Sequence, residues 1–486
     1  MKPPRMWLRS LFLAHRYLGV VLGLLMLVWC LSGIVMMYVP YPTLGQALRL
    51  PGLTPIDWGA CCRFPGGDFP SRRVADLQLE MLGPDPVLRL LPDSPAAPPI
   101  AIDLRDGHEF TDITLPQAQA AASGLGRALG YLGTPAFEGS VTRDQWTVGS
   151  YRTDAPLFEF TWPDPRRPVV YISSRTGIAV QLTTARQRFW NWLGAIPHWL
   201  YFTSLRERPQ LWAGVVIAAA SVGSLLTVIG LYLGLLQYRR SRQRLSPYRG
   251  FLFWHHVPGL IFGVFTLAWM SSGLVSMNPG GFLDEDGPRP EQRLLRGQSM
   301  TGAELQNALQ NLRVHPPGFP AVSVHSANLA GSVKLLVLGS GGQRARIDAA
   351  GADSPMTAAE LAFISATLGG EGTRSAPPLL AAGDAYYFAF HDFVPALPVY
   401  RVIAGDAQHT RYYLDPLSGA LLQKYGANAR AYRWLHLGAH RWDFVAPRPL
   451  WDVLLLCLLA GTACVCATGA YMGVRRLLLR PVQRSE

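Results

Sequence analysis

Two histidines head stretches of the same design. His15 opens HRYLGVVLGLLMLVWCLSG, residues 15–33, and His255 opens HHVPGLIFGVFTLAWMSSG, residues 255–273. In both, glycines follow the histidine four, eight and eighteen residues on, the last of them preceded by serine. Eighteen residues make five helical turns, so the histidine and the last glycine share a face, with a rise of about 27 Å between them. That rise matches the hydrocarbon core of a bilayer. An imidazole in such a helix needs a partner, because an unsatisfied polar group in hydrocarbon costs several kcal/mol. A lone histidine among glycines reads most simply as helix packing with a hydrogen bond. Two equivalent histidines can instead ligate one metal from opposite sides. The glycine face leaves a flat slot for a neighbouring helix or a porphyrin.

A second duplicated pair stands at the approaches to the next apolar stretches. WLGAIPHWLYF, residues 192–202, and WLHLGAHRWDF, residues 434–444, align with a shift of 242, which sets Trp192, Leu193, His198 and Phe202 on Trp434, Leu435, His440 and Phe444. Both are followed by Arg-Pro and a Trp, and the stretches beyond end alike, GLYLG at 230–234 and GAYMG at 469–473. Neutral imidazole is a common axial ligand of haem iron. A site with histidine on both sides is closed at both axial positions and suits electron transfer rather than oxygen chemistry. Two such sites, His15/His255 and His198/His440, make a wire from one membrane face to the other. Zinc or copper ranks below haem, since a structural zinc calls for four ligands and no acidic or thiolate company stands at the right spacing.

Two positions stay open at this level. His256 competes with His255, although Gly259 and Gly263 follow His255 as Gly19 and Gly23 follow His15. His436 competes with His440 but has no counterpart in the first copy. There is no C-x-x-C-H, so covalent haem attachment is not indicated. Arg16, Arg206, Arg208, Arg441 and Arg448 are candidates to neutralise propionates or to anchor at the interface. His108, His315, His325 and His409 read as surface residues, and His391, among aromatics in YYFAFHDFVPALP, as a candidate substrate contact.

The elements that position these residues follow from composition. Charged residues are only 16% and hydrophobic ones 49% of the 486-residue chain, a balance that fits a membrane protein with sizeable water-facing parts. Four stretches are long and apolar enough to span, about 11–38, 210–237, 250–277 and 450–474. Nearly all of the net charge of +12 sits in the N-terminal tail (Lys2, Arg5, Arg9), the link after the second span (Arg239, Arg240, Arg242, Arg244, Arg249) and the C-terminal tail (Arg475, Arg476, Arg480, Arg484). Four spans put those three ends on one side, and the positive-inside rule makes that side the cytoplasm. The charge is a topology signal, and nucleic-acid binding is not implied. The connections at about 39–209 and 278–449 then lie outside, in the periplasm of a Gram-negative host.

Each connection reads as a soluble α+β part. In the first, strands are expected at Val87–Leu91, Ile100–Leu104, Trp146–Tyr151 and Phe158–Trp162, with a helix at Pro116–Gly130 capped by Thr114. In the second, a helix at 301–312 opens on Thr301 with Glu304 completing a capping box, and a further helix covers Pro355–Leu368. Strands are expected at Val333–Leu338 and Arg344–Asp348. Six cysteines fit no disulfide framework, and a bond between adjacent Cys61 and Cys62 is expected to be strained. No Rossmann or P-loop fingerprint is present, and the cytoplasmic segments are too short for a flavin or nicotinamide domain. An electron donor is therefore a separate cytoplasmic reductase or a membrane quinol.

HRYLGVVLG, IPHWLYF, WHHVPGLIFG, LPVYRV…TRYYLDPLSG and AHRWDF…RPLWD, in this order and duplicated, make the chain similar to the PepSY-associated transmembrane helix proteins. The resemblance covers essentially the whole chain. It implies a membrane α-helical protein with four transmembrane helices in two pseudo-symmetric repeats and two α+β PepSY-like periplasmic domains. The implied organisation is a tail and first helix over 1–38, PepSY-like domains at 39–188 and 278–429, and a third helix at 250–277. His-bearing approaches with the second and fourth helices fill 189–249 and 430–486. The resemblance further implies an inner-membrane location, two haem b groups on His15, His198, His255 and His440, and reduction of a ferric complex, a ferric siderophore foremost. Two other readings follow from the same residues: a non-enzymatic module whose external domains bind peptide or protein, and a haem subunit serving a separate periplasmic enzyme.

Overall fold

A computed structural model of the chain describes residues 6–92, 100–148, 154–240, 244–370, 376–390, 394–445 and 447–478. It divides into two compact units. One collects Met1–Tyr41, Gln187–Asp284 and Asn428–Glu486, and the other collects Pro42–Arg186 and Glu285–Ala427.

The first unit is helical. Four helices, Met6–Met36, Pro209–Arg240, Phe251–Ser276 and Arg448–Leu478, are long and apolar enough to cross a membrane, as the hydropathy pattern requires. The first span packs on the second and fourth, and the third packs on the same two. Close approach is set by small residues. A Cβ built on Gly23 would touch Ala470 at 3.7 Å, and one on Gly263 would meet Leu231 at 2.7 Å. The glycines eight residues beyond His15 and His255 therefore serve helix packing.

The second unit is built on strands. Its first segment supplies β1 Arg73–Leu82, β2 Asp85–Pro92, β3 Ile100–Asp103, β4 His108–Phe110, β5 Ala136–Val141, β6 Leu157–Thr161, β7 Val169–Ser173 and β8 Ala179–Thr183. The second supplies β9 Met300–Thr301, β10 Ala321–Ser326, β11 Lys334–Gly339, β12 Arg344–Asp348, β13 Leu379–Leu380, β14 Val399–Ile403, β15 Arg411–Leu414 and β16 Leu421–Tyr425. β5–β8 and β13–β16 each form a four-stranded antiparallel sheet. The remaining strands run β12-β11-β10-β1-β2-β3-β4, with β9 also on β1. The two segments thus share one continuous sheet, joined where Gln78, Leu79 and Glu80 face His325, Val324 and Ser323.

Alternation along β1 explains the packing of that sheet. Leu77, Leu79 and Met81 turn to a core with Leu305, Leu309 and Leu312 of the helix Gly302–Val314. Asp76, Gln78 and Glu80 turn to the opposite face. The vicinal cysteines belong to the same core and are joined in a disulfide.

The capping box expected at Thr301 and Glu304 forms, Thr114 caps its helix in a box with Gln117, and a further box, not expected from the sequence, joins Thr357 and Glu360. Thr301→Ala removes one side of such a box and is expected to lower stability by about 1 kcal/mol in denaturant unfolding. The strand expected at Trp146–Tyr151 is not formed over its described part. Residues 145–148 turn instead, because the Asp144 carboxylate accepts from the Trp146 and Thr147 amides at 2.8 and 2.9 Å. His391 lies outside the described residues.

Candidate metal centres

His15 and His255 stand on the first and third spans with ring centroids 6.1 Å apart. Each Nδ1 is turned onto a third helix. The His15 Nδ1 donates to the Leu226 carbonyl at 3.3 Å, and the His255 Nδ1 donates to the Val465 carbonyl at 3.0 Å. A carbonyl only accepts, so Nδ1 carries the proton and Nε2 keeps its lone pair. No partner for either Nε2 occurs among the described residues. Glycines make room for the rings. A Cβ on Gly230 would stand 2.6 Å from His15 Cε1, and one on Gly469 would stand 2.9 Å from His255 Cε1.

His198 and His440 repeat the arrangement, with centroids 6.0 Å apart. They sit in short helical turns, Ala195–Trp199 and Ala439–Arg441, each closed by a residue in the left-handed region, Leu200 at φ 52° and Trp442 at φ 53°. The serines of the two Ser-Gly pairs fix the rings. Ser32 Oγ donates to the Trp29 carbonyl at 3.1 Å, and the His198 Nδ1 contacts both of these oxygens at 3.1 Å. Ser272 Oγ donates to the Trp269 carbonyl at 3.1 Å and accepts from the His440 Nδ1 at 3.0 Å. A Cβ on Gly33 would come 3.6 Å from His198 Cε1, and one on Gly273 would come 3.9 Å from His440 Cε1. The glycine eighteen residues beyond each span histidine therefore seats the ring of the other pair.

These two rings are half-buried by area yet densely surrounded. Burial pushes His198 down to about 4. Burial, with His198 and His436 nearby, pushes His440 down to about 3. Both are neutral at physiological pH, the form that ligates metal. Along the first span, Trp29 and Gly33 lie fourteen and eighteen residues from His15. At 1.5 Å per residue those are rises of about 21 and 27 Å.

Of the two competing histidines, His256 differs from these four, whereas His436 shares their pattern of Nδ1 on a backbone carbonyl. His256 is buried with both nitrogens engaged, Nδ1 with Ser246 Oγ at 2.8 Å and Nε2 with the Gly234 carbonyl at 2.9 Å. His436 stands in a π-helical turn, Arg433–Gly438, with its centroid 5.5 Å from that of His440 and its Nδ1 on the Ser272 carbonyl at 3.0 Å. A buried Arg433–Asp443 ion pair at 2.9 Å brackets that turn.

Sequence reading found the paired histidines but assigned no role to Ser32, Ser272, Gly230 or Gly469. The signal was present in the duplicated Ser-Gly pairs and in the first glycines of GLYLG and GAYMG. Among the described residues no three His, Cys, Asp or Glu side chains converge as a metal-ion site, so a four-ligand zinc set is not supplied. No protein-family model matches the chain. No curated protein matches it either.

Proposed function

We propose that the chain is an inner-membrane electron-transfer protein of the PepSY-associated transmembrane helix type. In this reading it holds two b-type haems, one between His15 and His255 and one between His198 and His440, and reduces a ferric complex, a ferric siderophore foremost, at the periplasmic face. The observation that carries the reading is the shared design of the two pairs. In each, two imidazoles face one another with Nδ1 tied back and Nε2 unpartnered among the described residues. Two imidazoles that held one metal, each through a nitrogen, would have centroids roughly 6 Å apart. The separations of 6.1 and 6.0 Å fit that spacing. Two further features suit a flat group. A Cβ on Gly19 meets nothing within 4 Å. The buried Trp29 Nε1, on the residue whose carbonyl contacts His198, has no hydrogen-bond partner among the described residues.

Bound haem supplies reversible one-electron exchange between ferric and ferrous iron. The residues of this chain supply the rest. The Leu226 and Val465 carbonyls and the two serines hold each imidazole in the tautomer that presents Nε2, and they raise its basicity. An imidazole on each side leaves no side open to dioxygen. The basic tails and the Arg239–Arg249 link keep their ends in the cytoplasm, where a quinol or a cytoplasmic reductase donates. Ferrous iron is held more weakly than ferric iron by hard oxygen ligands, so reduction of the complex releases it.

The test is a visible spectrum of the detergent-purified protein, oxidised and reduced, with a pyridine haemochrome count. A b-type spectrum with two haems per chain supports the reading. Protein that stays colourless after haem is supplied overturns it in favour of a peptide-binding module. Haem without turnover of ferric chelates points to a subunit serving another enzyme. Gly230→Leu places a side chain where the His15 ring lies, and it is expected to lower the count from two to one.

A further inference from the structure

We infer that the unit built on strands carries a carboxylate-binding pocket built on Arg89 and Arg49. The site lies on the face of β1 and β2 that points away from the Leu305–Leu309–Leu312 core. Glu80 is 2% exposed there, and two arginines, each 8% exposed, converge on it. Arg49 takes it in a fork, Nη1 to Oε2 and Nη2 to Oε1, both at 2.8 Å. Gln78 Nε2 and Ser323 Oγ donate to Oε1, each at 2.8 Å. Three of those four bonds end on Oε1 and one on Oε2.

Arg89 arrives last. Its Nη1 stands 3.5 Å from Glu80 Oε2, and its Nε donates to the Thr176 carbonyl at 2.6 Å. Its Nη2 has no partner among the described residues. Two guanidinium groups against one carboxylate leave a buried positive charge uncompensated, a costly state that proteins resolve with a counter-ion. Burial disfavours the Arg89 charge more than the nearby Glu80 supports it.

The fold leaves space at this point. Arg49, Arg89 and Glu80 line a cavity of about 30 Å³. That exceeds the room one water needs and suits a carboxylate head. Small residues, among them Gly83, Ala120 and Gly177, share the rest of its wall with Leu53, Leu82 and Leu125. Arg49 spends its fork on Glu80, so a ligand oxygen is left to Arg89 Nη2, and a guanidinium there pairs with an oxyanion such as a carboxylate. The ligand class is therefore a small carboxylic acid or the carboxylate end of a larger molecule such as a peptide.

Isothermal titration of the full-length protein in detergent tests this, with acetate, acetamide and N-acetylglycine at constant ionic strength. Acetate is expected to bind saturably and acetamide not at all. Arg89→Leu keeps the Arg49–Glu80 fork and is expected to weaken acetate binding at least tenfold. Ala120→Leu, which fills the cavity from the helix side without touching a charge, is expected to do the same. N-acetylglycine binding tenfold tighter than acetate identifies a peptide terminus as the source, and equal binding identifies a free acid. Equal heats from acetate and acetamide, or acetate binding that survives both substitutions, overturns the proposal and leaves water in the cavity. The result does not depend on haem content.

Discussion

His198→Ala is expected to halve the haem content of the purified chain, from two per chain to one, and to leave the remaining spectrum b-type. The two pairs are separated by about 21–27 Å of helix rise along the first span, and their anchors do not overlap. His15 and His255 are held by carbonyls of the second and fourth spans. His198 and His440 are held by the Ser-Gly ends of the first and third. Losing one ring removes one side of one pair only. The control is His256→Ala, expected to retain two haems because both of its nitrogens are already bonded to protein. His436→Ala is expected to retain two as well, and a drop to one would move the ligand from His440 to His436. Equal retention in His15→Ala, His198→Ala and wild type would show that these histidines hold no haem.

The second large effect is expected in the unit built on strands. Glu80→Ala strands Arg49 and Arg89 in a buried site without a counter-charge, and removing one partner of a buried pair costs about 3–5 kcal/mol. Denaturant unfolding of the full chain is the measurement. A loss under 1 kcal/mol would mean that water reaches the two guanidinium groups. The same network sets acid sensitivity. Burial alone pushes the Glu80 carboxyl up, but the Arg49 bonds and charge, with Arg89 and Ser323, outweigh it and hold it at about 2. Glu360 is likewise at about 2, where burial is outweighed by Arg346 and the Thr357 cap. A carboxyl depressed in the folded state stabilises fully above its ordinary value near 4.5. That contribution is lost as pH falls from there toward 2. The unfolding free energy is expected to drop across that window, by about 3 kcal/mol for Glu80, and Glu80→Gln is expected to flatten its share of the drop.

The spans, the four histidines and the capping boxes were legible in the sequence because each is a local signal. Twenty-odd apolar residues cross a bilayer whatever surrounds them. A Thr three residues before Glu or Gln closes a helix end by itself. The duplication made His15 answer to His255 and His198 to His440 without any structure. β1 and β10 went unread, although VADLQLEML and AVSVHS alternate with period two. Even with the strands found, their pairing across the two segments is not a local property, and it is this pairing that makes one sheet of the second unit and buries Glu80 between two arginines.

The choice among histidines was also decided by tertiary structure. In sequence His255 and His256 are neighbours of equal chemistry, separated only by register. In the folded chain one turns its Nδ1 to the Val465 carbonyl and leaves Nε2 without a partner among the described residues, while the other spends both nitrogens on Ser246 and Gly234. By itself, then, the sequence determined which residues bear imidazoles and how far along their helices the two Ser-Gly pairs stand from His15 and His255, because helix rise converts residue number into distance. Only the packing of four helices decided which nitrogens are bonded, because the carbonyls and glycines that orient the rings come from other spans, some two hundred residues away.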